Sequence, residues 1–520
     1  MSAAAAGAAP AAINHWFIAP VVAMAAFMEV MDISIANVAL PHIAGDLSSS
    51  QNESTWVLTS YLVTNAVVMP ISGWLSNTFG RKRVFMFCIA GFTISSFLCG
   101  MAPNLAALIL LRAVQGATGG GLQPAGQAIL SDSFPPEKRG MATAIYGVAT
   151  VFGPTIGPTL GGWITDSYDW RWIFLINVPV GVVLLFLVNS LIQEKDTSSR
   201  ATGKKISFDW RGFGLIALSL GSLQILMDRG EQDDWFASGM ITALTLIAAV
   251  AFVLLLWWEL RQADPIVDLR LLRDRDFAVS FVLMLMLGFM LFGSTFLIPA
   301  YVQSLMGYRA VDAGMVLTPG GFATIALMPL VGMAMNKVDL RIMVAVGLII
   351  GGLSLLWMTD FYLGVSFRHI MWTRVAQASA LAFLFIPINA MAFRGIPPEK
   401  TNNASALINL ARNFGGSIGI SFMSTVLTRR EQFHQSRIME HFQPLNPVYP
   451  NFARQVGGAI GAAANSPAIQ ASIYQGAVQQ ATLLAYLDDF KILGLVFFGL
   501  LPFLLLVRPG KGGGKPEMEH

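Results

Sequence analysis

The sequence predicts an all-α integral membrane protein, and three observations carry that reading. The 520-residue chain is 55% hydrophobic and only 12% charged, with a mean hydropathy of +0.61, which is too apolar for a water-soluble globule. Apolar runs of roughly 17 to 25 residues, the length a helix needs to cross the hydrocarbon, recur from end to end. The second part of the chain also repeats the first.

Fourteen apolar runs fall near 16–40, 55–76, 84–102, 105–128, 141–164, 172–192, 211–227, 238–258, 277–303, 312–335, 342–359, 369–393, 401–427 and 489–507. They lack the apolar/polar alternation of barrel strands, so helices are expected. With the N-terminus inside, the RKR of 81–83, the EKR of 137–139, the segments 195–211 and 261–275, Lys337, Arg341, Arg394, Lys400 and the tail all fall on the cytoplasmic side. The basic-loop rule therefore places both termini in the cytoplasm. The opening MSAAAAGAAPAAINHW has no basic n-region and runs into a full-length span, so no cleaved signal peptide is expected.

The repeat appears when the chain is shifted by 262 residues. Arg112 and Gln115 fall on Arg374 and Gln377, the PPEK of 135–138 on the PPEK of 397–400, Ala142 and Ala144 on Ala404 and Ala406, and Gly153 and Gly157 on Gly415 and Gly419. A shift of 259 brings Pro70, Gly73 and Asn77 onto Pro329, Gly332 and Asn336. This implies two six-helix units in the same orientation, meeting face to face around a substrate site near the bilayer midplane. The expected organisation is a tail (1–15), an N-terminal six-helix bundle (16–192), cytoplasmic linkers with two extra helices (193–276), a C-terminal six-helix bundle (277–507) with a long extracytoplasmic loop (428–488), and a flexible tail (508–520). The two extra helices fall outside the repeat and are expected to form a peripheral hairpin that does not line the pathway.

Several classes of function are excluded. Cys88 and Cys99 share one apolar run and the six His are scattered, so neither a disulfide framework nor a metal site is indicated. The net charge of +3 resides in loops and does not argue for nucleic acid. No Walker A motif is present, so ATP is not the expected energy source.

The polar residues inside the apolar runs are the candidates for function. Glu29 and Asp32 share a face of the first run, with Asn37 further along it. An intramembrane carboxylate is either a proton site, loaded as the cavity alternates its exposure, or a fixed neutralising partner for a buried cation such as Arg112. Arg374 and Arg412 either balance charge and position an anionic substrate or make packing contacts, and Lys491 sits where it would snorkel. Asn65, Gln123, Gln127, Asn389 and Asn409 either line a cavity or hold helices together. The 25 Met and 35 Phe suit an adaptable apolar pocket.

Four stretches give these positions a family context: GWLSNTFGRKR (73–83), LILLRAVQGATGGG (108–121), GVATVFGPTIGPTLGG (147–162), and MDISIANVALP (31–41) together with DWRWIFLINVPVG (169–181). With them the chain resembles the major facilitator superfamily, and within it the fourteen-helix drug:proton antiporters of the EmrB/QacA type. The resemblance implies the superfamily fold, with 14 transmembrane helices as two six-helix bundles plus two extra helices. It implies a proton-coupled multidrug efflux antiporter, not an enzyme, working by rocker-switch alternating access in the bacterial cytoplasmic membrane. It assigns proton coupling to Asp32, Glu29 and Arg112, although relatives often carry an uncharged residue at position 29. The substrate cavity would take Asn37, Gln115, Gln123, Arg374, Gln377, Asn389, Asn409 and Arg412, and the hinge or antiporter motif Gly153, Pro154, Gly157, Pro158 and Gly161. The cytoplasmic gate loop would be Gly73, Asn77, Gly80, Arg81 and Lys82. The family's usual Asp is Asn77 here, so a hydrogen bond is expected in place of a charge. No cofactor is implied beyond the proton gradient. The implied partners are amphipathic or hydrophobic drugs, protons and the lipid bilayer, and the 428–488 loop is either a docking surface for a periplasmic adaptor protein with an outer-membrane channel or a cap over the outer mouth of the cavity. The competing readings are a dedicated exporter of one endogenous metabolite, siderophore or lipid, and a non-transporting membrane scaffold or sensor.

Overall fold

The computed structural model describes residues 15–193, 208–262, 265–442, 448–460 and 466–510. The N-terminal tail, most of the first linker, the HFQPLNPVYP break in part and the end of the C-terminal tail lie outside the described residues. Among those described, helices dominate and no strand occurs.

Fourteen long helices stand where the apolar runs predict them: α1 (Ile18–Asp46), α2 (Trp56–Phe79), α3 (Arg81–Gly100), α4 (Leu105–Ser133), α5 (Pro136–Ser167), α6 (Trp172–Leu191), α7 (Trp210–Arg229), α8 (Gly239–Glu259), α9 (Arg275–Met306), α10 (Ala310–Ala334), α11 (Leu340–Met358), α12 (Phe367–Ala392), α13 (Thr401–His441) and α14 (Pro467–Gly499). All but α5 and α13 are long and apolar enough to cross a membrane by composition alone. Those two are long enough at 32 and 41 residues but carry more Gly, Ser, Thr and Asn, because they pack in the interior. Bulky apolar side chains such as Phe87, Leu110, Phe186 and Leu246 are instead exposed on the outside of the bundle, as lipid-facing surfaces require.

The internal repeat is visible in the packing. The most extensive contacts are α9 with α13 and α1 with α5, which are equivalent pairs. Gly153 and Gly157 of α5 press on α1: a Cβ at 153 would sit 3.3 Å from Met31 N, and one at 157 would sit 2.5 Å from the Ser34 Cβ. Their repeat partners Gly415 and Gly419 press on the carbonyls of Leu285 and Phe289 in α9. Small residues thus let backbones meet where no side chain fits. Gly161 does the same against Ile35.

Pro158 has no N–H for the carbonyl of Pro154, one helical turn back. The Ser34 hydroxyl of α1 donates to that carbonyl at 3.3 Å. The proline-glycine motif therefore fixes α5 to α1, while the other side of α5 packs along α10, placing the motif helix at the junction of the two repeat units.

The 428–488 segment differs from the expected loop. α13 runs on to His441 and α14 begins at Pro467. At about 1.5 Å per residue α13 is about 60 Å long, twice the hydrocarbon thickness of about 30 Å. The two extensions run side by side, joined by Arg430 to Asp488 at 2.6 Å, His434 to Asp488 at 2.7 Å and the Thr482 hydroxyl to Glu431 at 2.7 Å. Hydropathy marks where the membrane ends, and these polar, helix-favouring residues continue the helices past it.

Candidate functional site

Asp32 sits on α1 facing α4 and α6. Arg112 of α4 meets its Oδ2 at 2.5 Å, while Gln115 Nε2 and Asn177 Nδ2 donate to its Oδ1 at 3.1 and 2.7 Å. Arg112 also donates to the Val57 carbonyl at 3.1 Å and to Gln115 Oε1 at 2.8 Å, and its guanidinium lies over the Tyr61 ring at 4.3 Å. Asp32 is 2% and Arg112 0% exposed. A buried ion pair is tolerable when further hydrogen bonds reach the two ions, as they do here through Asp32 Oδ1 and Arg112 Nε and Nη1, although Arg112 Nη2 has no hydrogen-bond partner among the described residues.

A cavity of about 830 Å³, counting the open space at its mouth, lies between the two repeat units. Its walls are mostly apolar, with Val30 and Ile33 from α1, Leu62 from α2, Val151 from α5, Leu291 and Phe292 from α9, Phe385 from α12 and Phe414 from α13. Its polar lining comprises Asn65, Gln123, Thr150, Gln224, Arg412, Asn413 and Ser417.

Several expected positions need correction against this geometry. Asp32, Gln115 and Arg112 do not line the cavity, because their side chains turn into the interior of the first unit. Asn37 is exposed near the end of α1 and also stands apart. Arg374 donates to Gln377 Oε1 at 2.6 Å and to the Thr295 hydroxyl at 3.1 Å. It reproduces the Arg112–Gln115 bond inside the second unit, away from the cavity lining. Asn389 and Asn409 cross the seam instead: Gln127 donates to Asn389 Oδ1 at 2.6 Å, and Asn409 donates to Gln127 Oε1 at 2.6 Å.

Gln123 and Arg412 do line the cavity, and they connect to Glu29. Glu29 is fully buried, accepts from Asn65 Nδ2 at 3.0 Å through one oxygen, and has no hydrogen-bond partner for the other among the described residues. Arg412, from the opposite unit, donates to Gln123 Oε1, and both Gln123 and Arg412 lie within electrostatic reach of the carboxylate. A carboxylate of the first unit and a guanidinium of the second thus face each other through an amide at the cavity wall.

α7 supplies what sequence reasoning missed. It packs on α2 and α13, and its Gln224 lines the cavity, so this extra helix is not peripheral. α8 packs mainly on α7 and exposes Leu246, Val250, Val253 and Trp257. The half-buried Asp228, bonded by the Thr59 hydroxyl of α2, was the available signal.

At the opposite end of α2, Asn77 exchanges hydrogen bonds with Asn402 and Asn403 of α13. Gly73 lies so close to α13 that a Cβ there would meet the Asn403 Oδ1 at 2.8 Å. Gly80 turns the chain with φ of 94°, a backbone that favours glycine. Arg81 pairs with Asp132 of the same unit, and Lys82 donates to the Asn189 carbonyl at 2.8 Å.

Two duplicated helical units around a membrane-embedded cavity, with charged groups facing across their seam, define a multi-pass membrane transporter and not an enzyme. The sequence profile of the Major Facilitator Superfamily matches residues 22–420, and the chain belongs to that superfamily, in the family of the EmrB-type drug:proton antiporters. It is 37% identical over 499 residues to the multidrug export protein EmrB of Escherichia coli K12, covering 94% of this chain and 95% of that one. It is 35% identical over 501 residues to the fatty acid resistance protein FarB of Neisseria gonorrhoeae, covering 94% and 96%. Among solved structures it is similar to the human organic anion transporter MFSD10 (TETRAN), with a TM-score of 0.58 at 14% identity, covering 94% and 99%. That likeness concerns the fold.

Proposed function

We propose that this protein exports amphipathic, mostly hydrophobic compounds from the bacterial cytoplasm across the inner membrane in exchange for protons, by alternating exposure of the central cavity. The observation that carries the reading is Glu29, a buried carboxylate with one oxygen unpartnered among the described residues, placed behind a cavity whose opposite wall presents Arg412. While ionised, Glu29 attracts Arg412 through Gln123 and favours the approach of the two units. Protonation removes that attraction, so loading and release of the proton bias the seam between its two arrangements. Asp32 is assigned a supporting role, holding Arg112 and the α1–α4–α6 contact. The proton gradient supplies the energy, about 2.3 kcal/mol per charge per 100 mV before the pH contribution.

With the N-terminus in the cytoplasm, the end closed by Asn77, Asn402 and Asn403 faces inward, and the α13–α14 extensions project outward as a surface for an adaptor leading to an outer-membrane channel. The names of EmrB and FarB, a multidrug exporter and a fatty acid resistance protein, support the substrate class. A narrower reading, export of one endogenous lipid-like anion, draws on Arg412, a cation in a mostly apolar cavity.

The test is transport in proteoliposomes by Glu29→Gln. Gradient-driven efflux should fall at least tenfold while downhill exchange of the same compound persists. Wild-type levels of both would remove Glu29 from coupling, and absence of gradient-dependent flux in the unsubstituted protein would defeat antiport altogether. Acceptance of chemically unrelated dyes separates the broad exporter from the specialist.

A further inference from the structure

The two seams between the repeat units start alike. Gly140 of α5 lies against Gly332 of α10, and the equivalent residue of α13, Asn402, meets Asn77 of α2 beside Gly73. Toward the other end they diverge. α5 and α10 remain packed as far as Thr159 and Gly314. α2 and α13 still touch at Met69 and Asn413, where the Asn413 amide lies 3.9 Å from the Met69 sulfur. Beyond that point α7 occupies the gap between them.

The bonds of α7 to its two neighbours differ in kind. On the α2 side Gly221 lies against Val63 and Val67, the Thr59 hydroxyl bonds Asp228, and Arg229 donates to the Thr55 hydroxyl at 3.1 Å while lying 5.0 Å over the Trp56 ring. These contacts include charged groups in or near the interior, so separating them is unfavourable. On the α13 side the half-buried contact is neutral: Gln224 donates to the Ser417 hydroxyl at 2.9 Å and the hydroxyl returns a bond at 3.2 Å. Further out, Trp235 donates to the Thr425 hydroxyl at 3.1 Å, and Arg429 meets Asp234 at 3.5 Å in an exposed pair. α7 is therefore fastened to the first unit and only latched to the second.

Both latch residues line the cavity, and so does Ile420, one turn along α13 from Ser417. Ile420 is 38% exposed. The far side of this seam is the lipid-facing surface of the bundle, where Leu218 of α7 and Phe422 of α13 are exposed.

We propose that the α7–α13 seam is a lateral port through which apolar compounds pass between the cavity and the surrounding bilayer, with Gln224 and Ser417 as its latch. A neutral amide–hydroxyl pair opens without stranding a charge, and the apolar flanks exclude ions. This rests on the export reading for its physiological sense, but dye entry can be read without a proton gradient.

The experiment uses the full chain in lipid nanodiscs and Nile red supplied from the bilayer. In Gln224→Cys/Ser417→Cys, a short bis-methanethiosulfonate bridge should slow dye binding at least tenfold, and reductant should restore the rate. Dye loaded before bridging should leave the cavity at least tenfold more slowly than from the unbridged variant. Gln224→Ala, which removes the latch without a cross-link, should speed entry severalfold. Entry at the unbridged rate in the cross-linked protein, an unchanged rate in Gln224→Ala, or no bilayer-delivered binding by the unsubstituted protein would overturn the port. Absent proton-driven flux with these dye results intact would overturn antiport and leave the port standing.

Discussion

Gln127 donates to Asn389 at 2.6 Å, and the two are separated by 262 residues, the same offset that superposes the repeats. Equivalent positions of the duplicated units therefore touch each other, which marks the approximate two-fold axis of the molecule. Around this point Asn409 and Ser405 of α13 both donate to Gln127 Oε1, at 2.6 and 3.1 Å. The centre of the seam is thus a cluster of neutral amides and a hydroxyl, suited to an interface that must part without leaving an uncompensated ion.

Gln127→Leu removes the shared partner and leaves the Asn389 Oδ1 unpaired, while Ser405 keeps its bond to the Pro124 carbonyl and Asn409 its bond to the Ser405 carbonyl. The loss should destabilise the fold by about 1 to 3 kcal/mol. Replacing both partners, Gln127→Leu/Asn389→Leu, should recover part of that loss, since an apolar pair strands fewer groups than half of a polar one. Thermal unfolding in detergent reads this directly. A double variant that melts at the sum of the two single losses would show that the amides are not coupled.

The Asp32–Arg112 pair makes a different demand. Arg112→Leu leaves a carboxylate buried among Gln115 and Asn177 without its cation, a change worth about 3 to 5 kcal/mol. Asp32→Asn on that background should restore much of the melting temperature, because the remaining groups are neutral. If the Arg112→Leu protein is as stable as the parent, Asp32 is already uncharged and the pairing argument is wrong.

Much of this architecture was legible in the sequence because it is written in apolar run length and in repeat spacing. The Asp32–Arg112 pair was legible too, since a buried ion of each sign has few alternatives. What could not be read was which way α1 faces. Glu29 and Asp32 are three residues apart and share a helical face, yet α4 and α6 enclose Asp32 while Glu29 turns toward the seam. That choice depends on how neighbouring helices are arranged around α1, which periodicity does not report. The position of α7 escaped for a related reason: its exclusion from the repeat suggested the periphery, whereas the repeat leaves one seam open and α7 fills it.

Gly157 tests whether the glycine motif acts through contact with α1. Its Cβ would lie 2.5 Å from the Ser34 Cβ, so Gly157→Ala must push the helices apart. It should cost about 1 to 3 kcal/mol in stability and slow transport, whereas Gly45→Ala, with nothing within 4 Å of its added methyl, should leave the packing undisturbed. Equal effects of the two substitutions on melting temperature would show that helix propensity, not close packing, dominates.

Asn77 controls the end of the seam where α2 and α13 meet. Asn77→Ala deletes its bonds to Asn402 and Asn403, and a net loss of about 1 kcal/mol shifts the balance toward the arrangement open at that end by roughly fivefold. Ala404, fully buried on α13 beside these residues, provides the reporter. In an Ala404→Cys background, maleimide labelling should rise several-fold when Asn77 is replaced by Ala. The increase should be smaller for Asn77→Gln, whose longer amide retains a donor and an acceptor. Labelling that does not respond to Asn77→Ala would mean that the close backbone approach at Gly73, and not the amide bonds, keeps this end shut, and Gly73→Ala would then be the substitution that opens it.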